Sequence, residues 1–303
     1  MNSTHRRWFL KSALAGGVAM ALSPLWRGKS HAQEINRNDG TKIKLSLNAY
    51  SFNRPLRDGD LDLFDLVDYC AKHQFDALDA TGYYFPGYPE VPADEYIFKL
   101  KRYAFVNGLT INGTGVHNDF AVLDSETRAD DVQLVKNWIS VDSKLGAGVI
   151  RIFAGRAIPE GHTFDDTLEW MVPAIQECVE TGKQHGVIVA LQNHNDVIKT
   201  AAETIKIVEA VNSEWFGVML DVGSLRQGDP YDEIDKLLPY AVSWLLKEHV
   251  WYGDRQERID LAKLKEIITT GGYRGFLPVE TLGEGDPCVK VERFLKQVRQ
   301  YFG

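Results

Sequence analysis

Residues 187–196 read VIVALQNHND and residues 216–223 read FGVMLDVG. Each stretch begins as a short apolar, β-branched run of the kind that forms a buried strand in a parallel sheet. Each then ends abruptly in polar side chains. Between them, residues Ala201–Val211 carry apolar side chains at helical spacing. The two stretches therefore indicate a strand–helix–strand unit whose strands end in amide, imidazole and carboxylate groups.

The same alternation continues along the chain from Lys42 onward. Eight strand signals begin 26 to 40 residues apart, about the length of one strand-plus-helix unit. They are Ile43–Tyr50, Phe75–Thr81, Leu109–Val116, Val149–Ala154, Val187–Gln192, Phe216–Asp221, Val242–Lys247 and Phe276–Glu280. Helical periodicity fills intervals between them, at Leu61–His73, Asp94–Asn107, Arg128–Leu145, Thr167–His185, Ala201–Val211 and Leu261–Thr270. Eight such units predict an α/β protein with one (β/α)8 TIM barrel, since such barrels run to about 250 residues. The rival is an open doubly wound sheet, which usually carries a glycine fingerprint after its first strand, and none follows Asn48.

The first 32 residues have a different pattern. Two arginines, Arg6 and Arg7, precede Trp8-Phe9-Leu10-Lys11 and a mildly apolar run from Ala13 to Leu25, and small residues surround Ala32. This pattern resembles a bacterial twin-arginine signal, which implies export of a folded protein and cleavage near Ala32. We therefore expect a signal peptide at 1–32, a barrel domain at 33–303 and a periplasmic location. The apolar run is too short for a stable membrane span.

Composition narrows the range of partners. The chain has 34 basic and 42 acidic side chains, and loss of the leader moves the formal charge from −8 to −13. A surplus of acid does not suit a protein that binds nucleic acid through phosphate contacts. Three cysteines, Cys70, Cys178 and Cys288, are too few and too widely spaced for a disulfide framework or a CxxC zinc site. A small molecule is the expected partner, and a homo-oligomer stays open.

Polar side chains end nearly every predicted strand, where barrels of this class place their chemistry. Strand two ends at Asp79 and strand six at Asp221, and strand eight ends at Glu280. The remaining candidates are His117 and Asn118, Arg151, Gln192 and His194, and Lys247 and His249. Taken singly, His194 is as readily a hydrogen-bonded core histidine and Arg151 a structural ion-pair partner. Together, carboxylates, an amide oxygen and an imidazole form a mixed nitrogen and oxygen site suited to a divalent metal.

Three of these strand endings resemble motifs of the xylose isomerase-like sugar isomerase/epimerase family of TIM barrels. They are VALQNH at 189–194, LDVG at 220–223 and GYRGFLPVE at 272–280. The resemblance implies metal ligands at Gln192, Asp221 and Glu280, with Glu280 also serving as acid or base. Gln192 stands where the family usually has Glu. Leu245 stands where it commonly has a fourth ligand, a His, and His249 is the expected substitute because it shares a strand face with Lys247.

The resemblance implies a metal-dependent sugar isomerase or epimerase that removes a proton next to a sugar carbonyl. A divalent metal (Mn, Mg, Zn or Co) would stabilise the enediolate. Glu280, or Lys247 with a pKa lowered by the metal, would be the base. Asp79 would take part in proton transfer, and His117, Asn118, Arg151 and His194 would bind the substrate. Export separates the protein from phosphorylated cytoplasmic sugars, which favours a free sugar or glycoside.

Three alternatives remain at this point. A 3-keto-glycoside lyase of the same family shares the proton-abstraction step and then eliminates the glycosidic group. A non-catalytic periplasmic sugar-binding barrel is favoured by Gln192 and Leu245. Phosphodiester hydrolysis of the endonuclease IV type needs several more His and Glu ligands and a basic DNA-binding face, and the chain has eight His in all. That last reading is disfavoured.

Overall fold

Eight parallel strands close into a barrel, which confirms the predicted fold class. The computed structural model describes residues 34–303 except 36 and 39, so the predicted signal peptide and the cleavage point near Ala32 lie outside the described residues. The barrel strands are β1 (Lys42–Asn48), β2 (Ala77–Asp79), β3 (Thr110–Gly115), β4 (Val149–Ile152), β5 (Ile188–Gln192), β6 (Phe216–Asp221), β7 (Ala241–Lys247) and β10 (Arg274–Glu280). They follow one another around the barrel in chain order, and β10 closes it against β1. Each of the eight predicted strand signals overlaps one of them.

Helices connect the strands and surround the barrel. They are α1 (Asn53–Asp58), α2 (Leu63–Lys72), α3 (Asp94–Val106), α4 (Ser125–Leu145), α5 (Phe164–His185), α6 (Ala201–Val211), α7 (Pro230–Leu237), α8 (Leu261–Thr270) and α9 (Pro287–Phe302). Local sequence determines several of their starts. Asp62 and Thr163 begin α2 and α5 with capping boxes, in which each side chain accepts from the helix backbone. Among the described residues, no helix is both long and apolar enough to cross a membrane.

A two-stranded antiparallel ribbon follows β7 and was not predicted. It consists of β8 (His249–Tyr252) and β9 (Arg255–Arg258), joined by the tight turn at Gly253 and Asp254. Two turn residues flanked by short extended segments are a hairpin signal. The expected strand–helix periodicity concealed it, because the ribbon is inserted before α8 within one ordinary repeat. Its presence means that β7 ends at Lys247 and does not run on to His249.

The register of the barrel brings the strand ends together in pairs. Asn48 is the partner of Asp79 across β1 and β2, and Glu280 is the partner of Lys247 across β10 and β7. The register shifts between Leu78 and Asp79: Leu78 pairs with Ile111 of β3, and Asp79 pairs with Gly113, two residues further on. Such irregularities commonly redirect a side chain next to a functional site. The fold therefore aligns Asp79, Asn48, Glu280 and Lys247 along four neighbouring strands.

Candidate active site

A cavity of about 570 Å³ opens at the carboxyl ends of the barrel strands. Its volume falls within the usual range for small-molecule sites, about 300–1,000 Å³. Every barrel strand contributes to its wall, through Asn48, Asp79, Thr114, Gly115, Arg151, Gln192, Met219, Leu245, Lys247 and Glu280. The loops that follow the strands add His117, Asn118, Phe153, Arg156, His194 and Asp196. This is the end of the barrel at which such folds carry their chemistry.

Most of the predicted site residues meet at this cavity. Asp79, His117, Asn118, Arg151, Gln192, His194, Lys247 and Glu280 line it. Asp221 lies behind the wall, fully buried, and contacts the cavity through Lys247 and Gln192. His249 does not line it, because it begins β8 and pairs with Arg258. His249 therefore does not share a strand face with Lys247, since the alternation of faces holds only within one continuous strand.

Lys247 joins two buried carboxylates. Its Nζ lies 2.7 Å from Asp221 Oδ2 and 3.4 Å from Glu280 Oε1. Burial alone would lower the pKa of this ammonium, but Asp221 and Glu280 outweigh burial and raise it above the ordinary lysine value. Lys247 is therefore a protonated ammonium in this arrangement, and the lowered pKa predicted for it as a general base depends on a bound metal.

Asp221 receives a donor on every side. Its Oδ2 accepts from Gln192 Nε2, Ser224 Oγ and Lys247 Nζ, each at 2.7 Å, and its Oδ1 accepts from the Gly223 amide at 2.9 Å. Burial would raise the pKa of this carboxyl, but Lys247 and the hydrogen bonds lower it below the usual aspartate value. The side chain is thus an ionised carboxylate with three donors on Oδ2 and one on Oδ1.

Asn193, which sequence reasoning did not single out, holds Asp221 in place. Its side-chain amide donates to the Asp221 carbonyl at 3.0 Å and accepts from the Asp221 amide at 2.7 Å. A planar amide can pair with both groups of one backbone residue only if it lies beside the strand. The position of Asn193 directly after β5 provides this, and explains the middle residue of the QNH motif.

The donor set does not fit the predicted divalent metal. Gln192 carries no negative charge, and its amide nitrogen is already hydrogen-bonded to Asp221. Leu245, in the place of an imidazole, belongs to a small apolar cluster with Ala190 and Met219. Among the described residues, no group of three or more His, Cys, Asp or Glu side chains is arranged to hold a metal ion. We therefore derive no chemical step from a metal.

Asp79 is the second buried carboxyl group of the cavity wall, 2% exposed. Burial raises its pKa to about 7, while the Arg151 guanidinium and a hydrogen bond with Asn48 act in the opposite direction. Burial also raises the pKa of Glu280, against the effect of Lys247. Carboxyl groups with pKa values displaced toward neutrality are suited to general acid–base catalysis.

Arg151 is held rigidly beside Asp79. Its Nη1 donates to the Val116 carbonyl, its Nη2 donates to the Tyr83 hydroxyl at 2.7 Å, and its guanidinium lies 4.1 Å from the Phe153 ring centroid. Gly115 makes room for it, since a Cβ there would lie 2.8 Å from the guanidinium. A planar cation fixed on three sides can orient a ligand hydroxyl or carbonyl without first being ordered.

The loop residues have more varied roles. Asn118 lines the cavity, but its amide exchanges two hydrogen bonds with the Phe153 backbone, so it supports the loop after β4. His194 Nδ1 lies 2.8 Å from Asp196 Oδ2. Arg156, missed in the sequence, reaches to 3.4 Å from His117 Nδ1. The only signal for Arg156 was its place in the loop after a barrel strand, where functional residues concentrate.

Solved structures with the same architecture include several sugar epimerases. D-psicose 3-epimerase from Clostridium cellulolyticum H10 is 19% identical, with a TM-score of 0.71 over 86% of this chain and 99% of that one. 3-Keto-D-glucoside 4-epimerase from E. coli is 13% identical, with a TM-score of 0.70 over 86% of this chain and all of that one. The IOLI protein, described with a bound zinc atom, is 16% identical, with a TM-score of 0.69 over 86% and 99% of the two chains.

At these identities the likeness establishes the fold. A comparison with curated proteins finds no match. The sequence profile of one family matches residues 67–299, most of the barrel. That match confirms the resemblance drawn from the strand-end motifs: the chain belongs to the xylose isomerase-like TIM barrel family.

Proposed function

We propose that the chain is a sugar isomerase or epimerase that moves a proton on the carbon next to a sugar carbonyl. The observation that carries this proposal is geometric. Asp79 and Glu280 lie on β2 and β10, on either side of Asn48 on β1, and both line one cavity of sugar size. Two carboxyl groups on separate strands can approach one ligand from two directions.

The proposed chemistry needs only these groups and the substrate. One carboxylate takes the proton from the carbon beside the carbonyl, and the electrons of the broken C–H bond form an enediolate. The carbonyl oxygen takes the negative charge. Return of a proton to the other face of the same carbon gives epimerisation. Return to the neighbouring carbon, with transfer of the hydroxyl proton to the former carbonyl oxygen, gives isomerisation. Arg151 and the polar loop residues orient the hydroxyl groups.

We propose a free keto sugar or a keto-glycoside as the substrate class. The predicted export supports this, because phosphorylated sugars are cytoplasmic. Two fold neighbours also act on such molecules, namely D-psicose 3-epimerase and 3-keto-D-glucoside 4-epimerase. The periplasm is accordingly the proposed location, and it rests on the Arg6-Arg7 motif alone.

Solvent exchange tests this proposal directly. The purified protein is incubated in D2O with D-psicose, D-tagatose, D-fructose and 3-keto-D-glucosides, and deuterium beside the carbonyl is measured by NMR. We expect exchange with at least one sugar, and a loss of about 100-fold or more in Asp79→Asn or Glu280→Gln. Glu266→Gln, at an exposed position of α8, is the matched control.

Three results would change the assignment. Full exchange in Glu280→Gln would remove Glu280 as the base. Release of the glycosidic group from a 3-keto-glucoside would assign elimination as the overall reaction. No exchange with any keto sugar, together with calorimetric binding of one, would leave the non-catalytic sugar-binding barrel.

A further inference from the structure

The geometry points to the Lys247 ammonium as the cation of this site: it takes the place of a divalent metal, and it donates a hydrogen bond to the carbonyl oxygen of the substrate. The second half of this inference rests on the proposed function. The first half stands on the arrangement of side chains around Asp221 and Glu280. It predicts that this protein works without a metal, although one of its fold neighbours is described with a bound zinc atom.

The first support is that four donors already surround Asp221. Its Oδ2 accepts from Gln192 Nε2, Ser224 Oγ and Lys247 Nζ, and its Oδ1 accepts from the Gly223 amide. Three donors exceed the two lone-pair sites of one carboxylate oxygen, so Oδ2 has no free position. Because the side chain is also completely buried, a metal on Oδ2 would have to displace one of these donors.

The second support is the loss of the other donors. Gln192 has no charge and donates to Asp221. Leu245 presents an apolar side chain packed with Met219. Glu280 remains as the single carboxylate that both lines the cavity and contacts Lys247. Zinc sites take three or four protein ligands, and one accessible carboxylate falls short of that number.

The third support is that the path of the lysine side chain is built into the fold. A Cβ on Gly223 would lie 2.6 Å from Lys247 Cδ and 3.3 Å from its Cβ. The absence of a side chain at Gly223 therefore gives Lys247 room to extend toward Asp221. Lys247 is nearly buried, so its ammonium is held by packing as well as by charge.

The fourth support is the donor capacity of Lys247. An ammonium has three N–H groups. Two are accounted for by Asp221 and Glu280, and the described residues provide no third acceptor within hydrogen-bond distance. Since Lys247 lines the cavity, the third N–H is available to a ligand oxygen. A fixed donor at a developing oxyanion provides electrostatic stabilisation of the kind a metal otherwise supplies.

Metal binding is the decisive measurement, and it needs no turnover. After dialysis against a chelator, the purified protein is titrated with MnCl2, CoCl2 and ZnCl2 by calorimetry, and its metal content is measured by mass spectrometry. We expect no saturable binding to the wild type. A triple variant, Gln192→Glu with Leu245→His and Lys247→Ala, adds two donors and frees Asp221 and Glu280, four in all, and should bind about one metal per chain. One tightly bound metal per wild-type chain would overturn the inference.

If the triple variant does not fold, a simpler variant tests the same assignment. Lys247→Ala alone vacates the cation position and leaves Asp221 and Glu280 without their countercharge. It should gain weak saturable metal binding that is absent from Lys206→Ala, a matched change at a half-exposed lysine of α6. Equal metal binding by the two alanine variants would contradict the assignment of the cation position.

Exchange in D2O then separates this inference from the proposed function. Exchange that survives the chelator and falls about 100-fold in Lys247→Ala supports both. Absence of metal together with absence of exchange supports the cation position and overturns the proposed function and the hydrogen bond to substrate. Exchange that appears only with added metal, bound by the wild type, supports the proposed function and overturns the inference.

Discussion

Gly223 and Lys247 lie so close together that a Cβ on Gly223 would come within 2.6 Å of Lys247 Cδ. Gly223 follows Asp221 by two residues, and its own amide donates to Asp221 Oδ1. The same short segment thus presents the carboxylate, binds it through the backbone and leaves the space through which the ammonium reaches it.

We expect Gly223→Ala to displace Lys247 and to slow deuterium exchange by at least about 10-fold. Packing an extra methyl into a filled interior typically destabilises a protein by about 1–3 kcal/mol. Urea unfolding and NMR exchange measure the two effects. Gly148→Ala is the control, because a Cβ there meets nothing within 4 Å. Equal exchange rates in both variants would show that proton exchange does not depend on the position of Lys247.

The raised pKa of Asp79 predicts how stability depends on pH. In the folded chain the carboxyl binds its proton up to a pKa of about 7, against an ordinary value of 3.8. Between these values the folded state holds a proton that the unfolded state has lost. The contribution of Asp79 to the free energy of unfolding is therefore complete below pH about 4 and falls as pH rises toward 7, by at most about 1.4 kcal/mol per unit.

Comparison with Asp79→Asn isolates this contribution. The free energy of unfolding of the wild type, relative to that of the variant, should fall steadily from pH about 4 to about 7 and then level off. Asp254→Asn, a change at an exposed turn residue, is the control variant measured over the same range. A flat difference for Asp79→Asn would show that the carboxyl titrates in its ordinary range.

Arg151 partly offsets the effect of burial on Asp79, and its removal should be visible in the pH profile of exchange. If ionised Asp79 is the base, exchange rises with pH through its pKa. Arg151→Met removes the nearby positive charge and should move the midpoint to higher pH, since the guanidinium lowers the pKa of Asp79.

Arg151→Lys provides the matched comparison for that shift. It keeps the charge, so the midpoint should move less, but it loses the planar fork that contacts Tyr83 and Val116. We expect KM to rise in Arg151→Lys, while the midpoint of its pH profile stays closer to that of the wild type than in Arg151→Met. Identical profiles in wild type and Arg151→Met would separate Arg151 from the titration of Asp79.

Export is a further prediction, tested in cells. Replacement of Arg6 and Arg7 together by lysine should keep the protein in the cytoplasm, because the arginine pair is the defining element of the motif. Cell fractionation and the mass of the N-terminus measure this. Lys11→Arg leaves the pair intact and should give a product that begins near Gln33. Export of the double variant would contradict the twin-arginine route.

Much of the architecture was predictable from local sequence. Strand signals such as Phe216–Asp221 and helix starts such as Thr163 depend on residues close together in the chain, so pattern and capping chemistry identified them. The rule that barrels place polar strand ends at one cavity then identified Asp79, Arg151, Gln192, Lys247 and Glu280. The ribbon that begins at His249 was missed, because its signal lies inside one repeat of ordinary length.

The sequence by itself determined the barrel, its family and the chemical types of the groups that line the site, because these follow from periodicity and from short motifs. Only the tertiary structure decided what Lys247 does. Its partners, Asp221 and Glu280, come from other strands, and the room for its side chain comes from Gly223. Whether a lysine acts as a base or as a fixed cation depends on the charges that surround it in space, and barrel closure alone brings those charges together.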